Sequence, residues 1–224
     1  MLIPYKDDHP LKTVPAVTLL IIAVNFYVYI HLFFFSHSGK DLFAEYGAIP
    51  YNIMNHESAQ PVNPAVTILF SMFMHNGFLH VIGNMIYLWI FSNSIEDKLG
   101  HLRFLLFYLF CGFISVYSYA LTVPGSVRPM IGASGAVSGV LGAYILLYPK
   151  AKIHTILCLG VYRKKFKSPA TILIGLWAGV QLLNGAISLI FKEYNNIAWF
   201  AHLGGFLAGL ASIKLWAPQA KDED

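Results

Sequence analysis

Five polar side chains interrupt otherwise apolar stretches of this chain: His80 and Asn84, Ser134 and Ser138, and His202. A serine hydroxyl becomes a usable nucleophile when a base within hydrogen-bond reach takes its proton. Of the histidines inside apolar stretches, His202 is the one placed to serve Ser134. His80 and Asn84 lie one helical turn apart on one face and can donate to an oxygen that gains charge. The carboxylates offer no rival chemistry. Asp7, Asp8, Asp41, Glu45, Glu57, Glu96, Asp97, Glu193 and the tail acids Asp222, Glu223 and Asp224 fall in loops or at segment ends. That argues against paired-acid proteolysis and against a carboxylate proton carrier. No His-Glu-x-x-His run is present, so a zinc protease would lack both ligands and base. No metal and no cofactor are expected. Cys111 and Cys158 read as a small core residue and a bystander.

The segments that must position these groups are apolar. Of 224 residues, 57% are apolar and 12% charged, against about 25% charged in a soluble domain. A membrane helix needs about 20 largely uncharged residues, and six candidates are predicted, at 15–35, 77–93, 104–122, 134–148, 169–191 and 197–216. The expectation is an all-α bundle of six spans forming one membrane domain over 1–224. A long outer loop, 36–76, carries a short helix at 64–74 with Pro64 in its first turn. Asn76 is the expected N-cap of the second span. The flank with Lys6, Asp7, Asp8 and Lys12 is unlike a cleavable leader, so the first apolar segment reads as a span. All but Lys40, Arg128 and Lys192 of the 15 Lys and Arg fall on the side of the termini, which puts both termini inside. The basic run within 149–168 reads as a topological anchor. Basicity here points to the lipid bilayer, not to nucleic acid.

Helical rise, about 1.5 Å per residue, sets the depth of each polar group. Spans two, four and six run in one direction. His80 then lies about 5 Å and Asn84 about 10 Å below the start of span two, and His202 about 7–8 Å below the start of span six. Span four is roughly 22 Å long against a hydrocarbon core of about 30 Å, which sinks its first residue, Ser134, by about 8 Å. Three separate segments thus bring polar groups to one depth. Gly132, Gly135, Gly139 and Gly142 near span four, and Ala201, Gly204, Gly205, Ala208 and Gly209 in span six, make faces small enough for close approach. An imidazole on one such helix can reach a hydroxyl on the other. With no intramembrane acid, the pair would be a dyad and not a triad. The start of a helix at Ser134 aims backbone N–H groups at the reacting centre.

The run Gly132-Ala133-Ser134-Gly135 resembles the Gly-x-Ser-Gly motif of the rhomboid intramembrane serine proteases. Ala201-His202-Leu203-Gly204-Gly205 is similar to that family's sixth-helix histidine motif. His75, His80 and Asn84, spaced His-x4-His-x3-Asn, resemble its second-helix motif. The resemblance implies a prokaryotic six-span rhomboid bundle with a short, central fourth helix. It implies a prokaryotic plasma membrane, both termini cytoplasmic and a site opening to the outer side. The activity implied is hydrolysis of peptide bonds in or near the transmembrane segments of single-span protein substrates. Ser134 would be the nucleophile and His202 the general base. His80, Asn84 and the Ser134 backbone N–H would form the oxyanion hole. Gly132 would let a backbone carbonyl or amide approach the substrate, Gly135 would be a supporting residue, and His75 would fix a loop through a hydrogen bond. Two departures stand out. Val66-Thr67 occupies the place where many members carry Trp-Arg. Ser138 stands where some carry a tyrosine that packs on the histidine, which leaves open what fixes the His202 ring.

Two rival readings use the same residues: a non-catalytic relative that handles membrane clients, and a polar-solute channel lined by His80, Asn84 and His202. The first generally lacks the serine or the histidine, and this chain has both. Among the remaining side chains, His31 and His37 read as interfacial, and His9, His56, His101 and His154 as loop histidines. Trp177 reads as a lipid or packing contact. The aromatic-bearing stretch 36–63 is expected to lie on the membrane surface.

Overall fold

Helices dominate the computed structural model of the chain, which describes residues 2–34, 39–56, 60–191 and 198–217. Position 35, His37, Glu57, Lys192, Glu193, the first residue of the sixth expected span, Lys221 and the acidic tail lie outside the described residues. Six longer helices form the bundle: α1 (Ala16–Phe34), α5 (Phe78–Leu99), α6 (His101–Thr122), α7 (Ser134–Leu147), α8 (Ala170–Ile190) and α9 (Trp199–Trp216). Three short ones, α2 (Gly39–Tyr46), α3 (Pro50–Asn55) and α4 (Pro64–Ser71), lie between α1 and α5. Length and composition make four of these, α1, α5, α6 and α8, capable of crossing a membrane, and α7 is a shorter apolar helix. α9 is interrupted by His202, Gly204, Gly205, Gly209 and Lys214 and does not join that group.

Local chemistry explains the helix ends. Asn63 caps α4 by accepting the Ala65 N–H, with Pro64 in the first turn. Asn76 does not cap α5, contrary to expectation. The cap position belongs to Gly77, whose φ of +116° is open to glycine and which makes no side-chain cap bond. α5 also runs past the expected end at 93 to Leu99, with Glu96 and Asp97 in its last turn. Glu96 is fully buried because it caps α1 from a distance. One carboxylate oxygen accepts the Val17 N–H at 2.8 Å, and the other accepts the Thr18 N–H at 2.7 Å and its hydroxyl at 2.6 Å. An anion is well placed there, at the positive end of α1. Asp97 accepts the backbone N–H groups of Lys12 and Thr13 just ahead of α1.

A three-stranded antiparallel sheet, unforeseen in the sequence, stands beside the bundle where the basic loop was expected. β1 (Leu2–Asp7) pairs with β2 (Lys152–Leu159), which pairs with β3 (Tyr162–Pro169) across a turn at Gly160. Ile153 and Thr155 are fully buried while the lysines of β3 face outward. That is the period-two pattern of a half-buried strand. His101 and His154 are therefore not loop residues: His101 opens α6 and binds Glu96, and His154 lies in β2 and binds Asp8. Asp7 ties the sheet to the bundle, accepting the hydroxyls of Tyr144 on α7 (2.9 Å) and Ser94 on α5 (2.8 Å).

α7 occupies the centre. Every residue from Gly135 to Tyr144 is buried, against α5, α6, α8 and α9. Its 14 residues span only about 21 Å, which makes it shorter than α5, α6 and α8.

Candidate active site

The contact between α7 and α9 is backbone to backbone. A Cβ added at Gly205 would lie 2.0 Å from the Gly135 carbonyl oxygen, and one at Gly209 would lie 1.9 Å from that of Gly139. Only hydrogen fits there. This approach brings the first residue of α7 to the first turn of α9: the Ser134 hydroxyl and His202 Nε2 are 2.9 Å apart, within hydrogen-bond distance. Ser134 is half-buried. As the first residue of its helix, its N–H has no acceptor within the helix.

On its other side, His202 meets a residue the sequence reading missed. Gln181, 6% exposed in the middle of α8, sets its side-chain oxygen 2.7 Å from His202 Nδ1. Its signal was an amide in the middle of an apolar span, where an unsatisfied polar group costs several kcal/mol. Ser138 does not take the place of a tyrosine: its hydroxyl donates to the Ser134 carbonyl at 2.6 Å. The aromatic walls come from elsewhere. Trp177 on α8 tilts against the imidazole at 6.2 Å between ring centroids, and Trp199 meets it edge-on at 6.3 Å. Trp177, expected as a lipid or packing contact, is thus a packing contact of the site itself.

The segment before Ser134 is held from α4 and from the loop that follows it. The Gly132 N–H donates to the Ser71 carbonyl at 2.8 Å, and the Ala133 N–H donates to His75 Nε2 at 3.3 Å. His75 is buried and held down at about 3 by that burial and by the neighbouring His80, so its neutral nitrogen accepts. The two imidazoles meet edge to face at 4.9 Å. Gly132 is required twice. Its φ is +120°, and a Cβ there would lie 2.9 Å from His80 Nε2 and 3.7 Å from the Ser134 hydroxyl. One turn below, Asn84 donates one amide hydrogen to the His80 carbonyl at 3.1 Å and keeps a second. His80, Asn84, Gly132, Ser134, Gly135, Ser138, Trp177 and His202 all line one cavity of about 770 Å³, bordered by Arg128. His75 lies behind that wall. Val66 and Thr67 belong to α4, where Thr67 is buried and bonds back to the Pro64 carbonyl.

A helical membrane protein that carries a serine and a histidine in contact at the N-terminal end of a short central helix belongs to a narrow class. A family model for the Rhomboid domain matches residues 63–218, and the chain belongs to the rhomboid family. Over 102 residues it is 39% identical to presenilin-associated rhomboid-like protein A, mitochondrial, of Danio rerio, covering 42% of this chain and 27% of that protein. It is 34% identical over 157 residues to the Bos taurus presenilin-associated rhomboid-like protein, mitochondrial, covering 66% and 38%. Rhomboid protein 1, mitochondrial, of Saccharomyces cerevisiae is 30% identical over 154 residues, covering 66% and 41%. Each match spans less than half of the relative's length. These mitochondrial relatives overturn the expectation of a prokaryotic plasma membrane with cytoplasmic termini. That expectation rested on the compact six-span form, and neither chain length nor a charge bias names a compartment.

Proposed function

We propose that this chain is an intramembrane serine endopeptidase, cutting single-span membrane proteins in or beside their transmembrane segments. The observation that carries the reading is the 2.9 Å contact between the Ser134 hydroxyl and His202 Nε2. The Ser134 oxygen attacks the scissile carbonyl carbon while its proton passes to Nε2. The carbonyl oxygen becomes an oxyanion and receives hydrogen bonds from His80, the second Asn84 amide hydrogen and the Ser134 backbone N–H. His202 then gives its proton to the leaving nitrogen as the C–N bond breaks. A water molecule attacks the acyl-serine, His202 takes its proton, and the serine is restored with release of a carboxylate. An unwound stretch of substrate suits this cavity better than a helix, whose carbonyls are occupied within it. On the strength of its relatives, we assign the protein to a mitochondrial membrane.

A fluorophosphonate probe tests the assignment. The wild-type protein is expected to label covalently and to cleave a single-span reporter. Ser134→Ala is expected to do neither while keeping its helical circular dichroism. A Ser134→Ala protein that cleaves as fast as the wild type would remove Ser134 from the chemistry. An unlabelled, inactive wild type would favour the client-binding reading.

A further inference from the structure

We infer that Gln181 is the positioning residue of this site, its side-chain oxygen accepting the Nδ1–H of His202 so that Nε2 faces Ser134 as a base. The inference rests on the roles proposed above for Ser134 and His202. Its foundation is a pair of contacts, one at each nitrogen of one imidazole. Gln181 Oε1 lies 2.7 Å from Nδ1, and the Ser134 hydroxyl lies 2.9 Å from Nε2.

A neutral imidazole carries one ring proton, on one nitrogen or the other. With the proton on Nδ1, the Nε2 lone pair points at the serine hydroxyl, as a general base requires. With the Gln181 amide reversed, its N–H would donate to Nδ1, the ring proton would sit on Nε2, and Ser134 would face a donor. The direction of one hydrogen bond therefore decides whether the base can act. Among the described residues, nothing else beside the ring does this work. Ser138 is turned to the Ser134 carbonyl, and the two tryptophans can supply only N–H donors, never an acceptor for Nδ1. Gln181 sits on a different helix from both members of the pair and is itself buried. Its amide has good reason to hold the imidazole, because a lone amide in an apolar helix is costly. A buried carboxylate fills this place in Ser-His-Asp enzymes; here a neutral amide does.

The test uses the full chain in detergent or lipid, with a single-span reporter, comparing wild type, Ser134→Ala, Gln181→Leu, Gln181→Met and Gln181→Glu. Loss of the acceptor in the Leu and Met variants is expected to lower kcat by about 10²-fold with KM within about twofold, the share typical of a general base. A carboxylate at this position keeps an acceptor and cannot donate when ionised. The Gln181→Glu variant is therefore expected to recover most of kcat, and the acid limb of its pH–rate profile to move to higher pH. Leu or Met variants with wild-type kcat overturn the inference. So does a Gln181→Glu variant that stays folded at the assay temperature yet is no more active than the Leu variant, since that outcome makes Gln181 a donor or a mere packing group. An active Ser134→Ala protein instead removes the underlying dyad. An inactive Ser134→Ala beside an unaffected Gln181→Leu leaves the dyad standing and removes Gln181 alone.

Discussion

Gly205→Ala probes the contact on which the site's geometry depends. The new Cβ would sit 2.0 Å from the Gly135 carbonyl oxygen and 2.9 Å from its carbonyl carbon. Contacts of a Cβ below 3.0 Å are essentially never seen, and both atoms are backbone, so no rotamer change relieves them. α7 and α9 must separate by at least about 1 Å, enough to cost about 10²-fold in rate when it falls between reacting groups. It falls there directly. Gly135 follows Ser134, and Gly205 lies one turn beyond His202. The 2.9 Å contact would open to about 4 Å, beyond hydrogen-bond reach. The expected result is a loss of about 10²-fold in kcat, about 2.7 kcal/mol of barrier, with a fold destabilised by about 1–3 kcal/mol through overpacking. Reporter cleavage and fluorophosphonate labelling measure the first, and thermal unfolding followed by circular dichroism the second. Gly175→Ala on α8 is the control, since its Cβ meets nothing within 4 Å. A Gly205→Ala protein that labels and cleaves at the wild-type rate would show that this helix contact does not set the distance between serine and histidine.

The remaining predictions concern stability. Glu96→Ala strands the Val17 N–H and the Thr18 N–H and hydroxyl beside a buried void, and is expected to cost about 3 kcal/mol of unfolding free energy. Asp97→Ala removes a more exposed cap and should cost about 1 kcal/mol. Equal losses in denaturant titrations would refute the distinction. His75 gives a pH signature. The unfolded chain takes up its proton near pH 6.5 and the folded chain only near 3. Its contribution is therefore complete above about pH 6.5 and falls by about 1.4 kcal/mol per unit as pH drops toward 3. His75→Gln retains an acceptor without titrating and should lose that slope. Parallel wild-type and variant stability curves between about pH 7 and 4 would contradict the assignment.

Much of the bundle could be read from the chain because its cues are local. Pro149 and the Gly/Ser run place α7 at Ser134–Leu147 against an expected 134–148. Asn63 and Pro64 announce α4, though it stops at Ser71, short of 74. What escaped depends on partners distant in sequence. Glu96 looked like a loop acid because its use, the capping of α1, lies 78 residues away for Thr18. The sheet hid behind its lysines: Ile153 and Thr155 alternate inward, but one of the strands that pairs with theirs begins at Leu2. His80, Asn84, Ser134 and His202, which line one cavity, could be singled out because each breaks an apolar run at a similar expected depth. Gln181 breaks one too, yet no short-range pattern ties it to His202, 21 positions on.

These omissions bear on how the proposed chemistry works. No carboxylate lines the cavity among its described residues, and the groups that meet at His202 are an amide, a hydroxyl and two indoles. Burying an anion beside the imidazole would cost several kcal/mol even when paired, in a bundle whose central helices meet through bare backbone. A neutral acceptor avoids that cost and still selects the tautomer. It gives up the charge that would stabilise an imidazolium as the proton transfers. The site must then rely more on distance than on charge, and distance here is set by the glycine contacts between α7 and α9. Small displacements of that contact should therefore harm turnover more than changes in surrounding charge do. On this reasoning Gly205→Ala is the more damaging substitution and Gln181→Glu the milder one, although only the second alters charge at the imidazole.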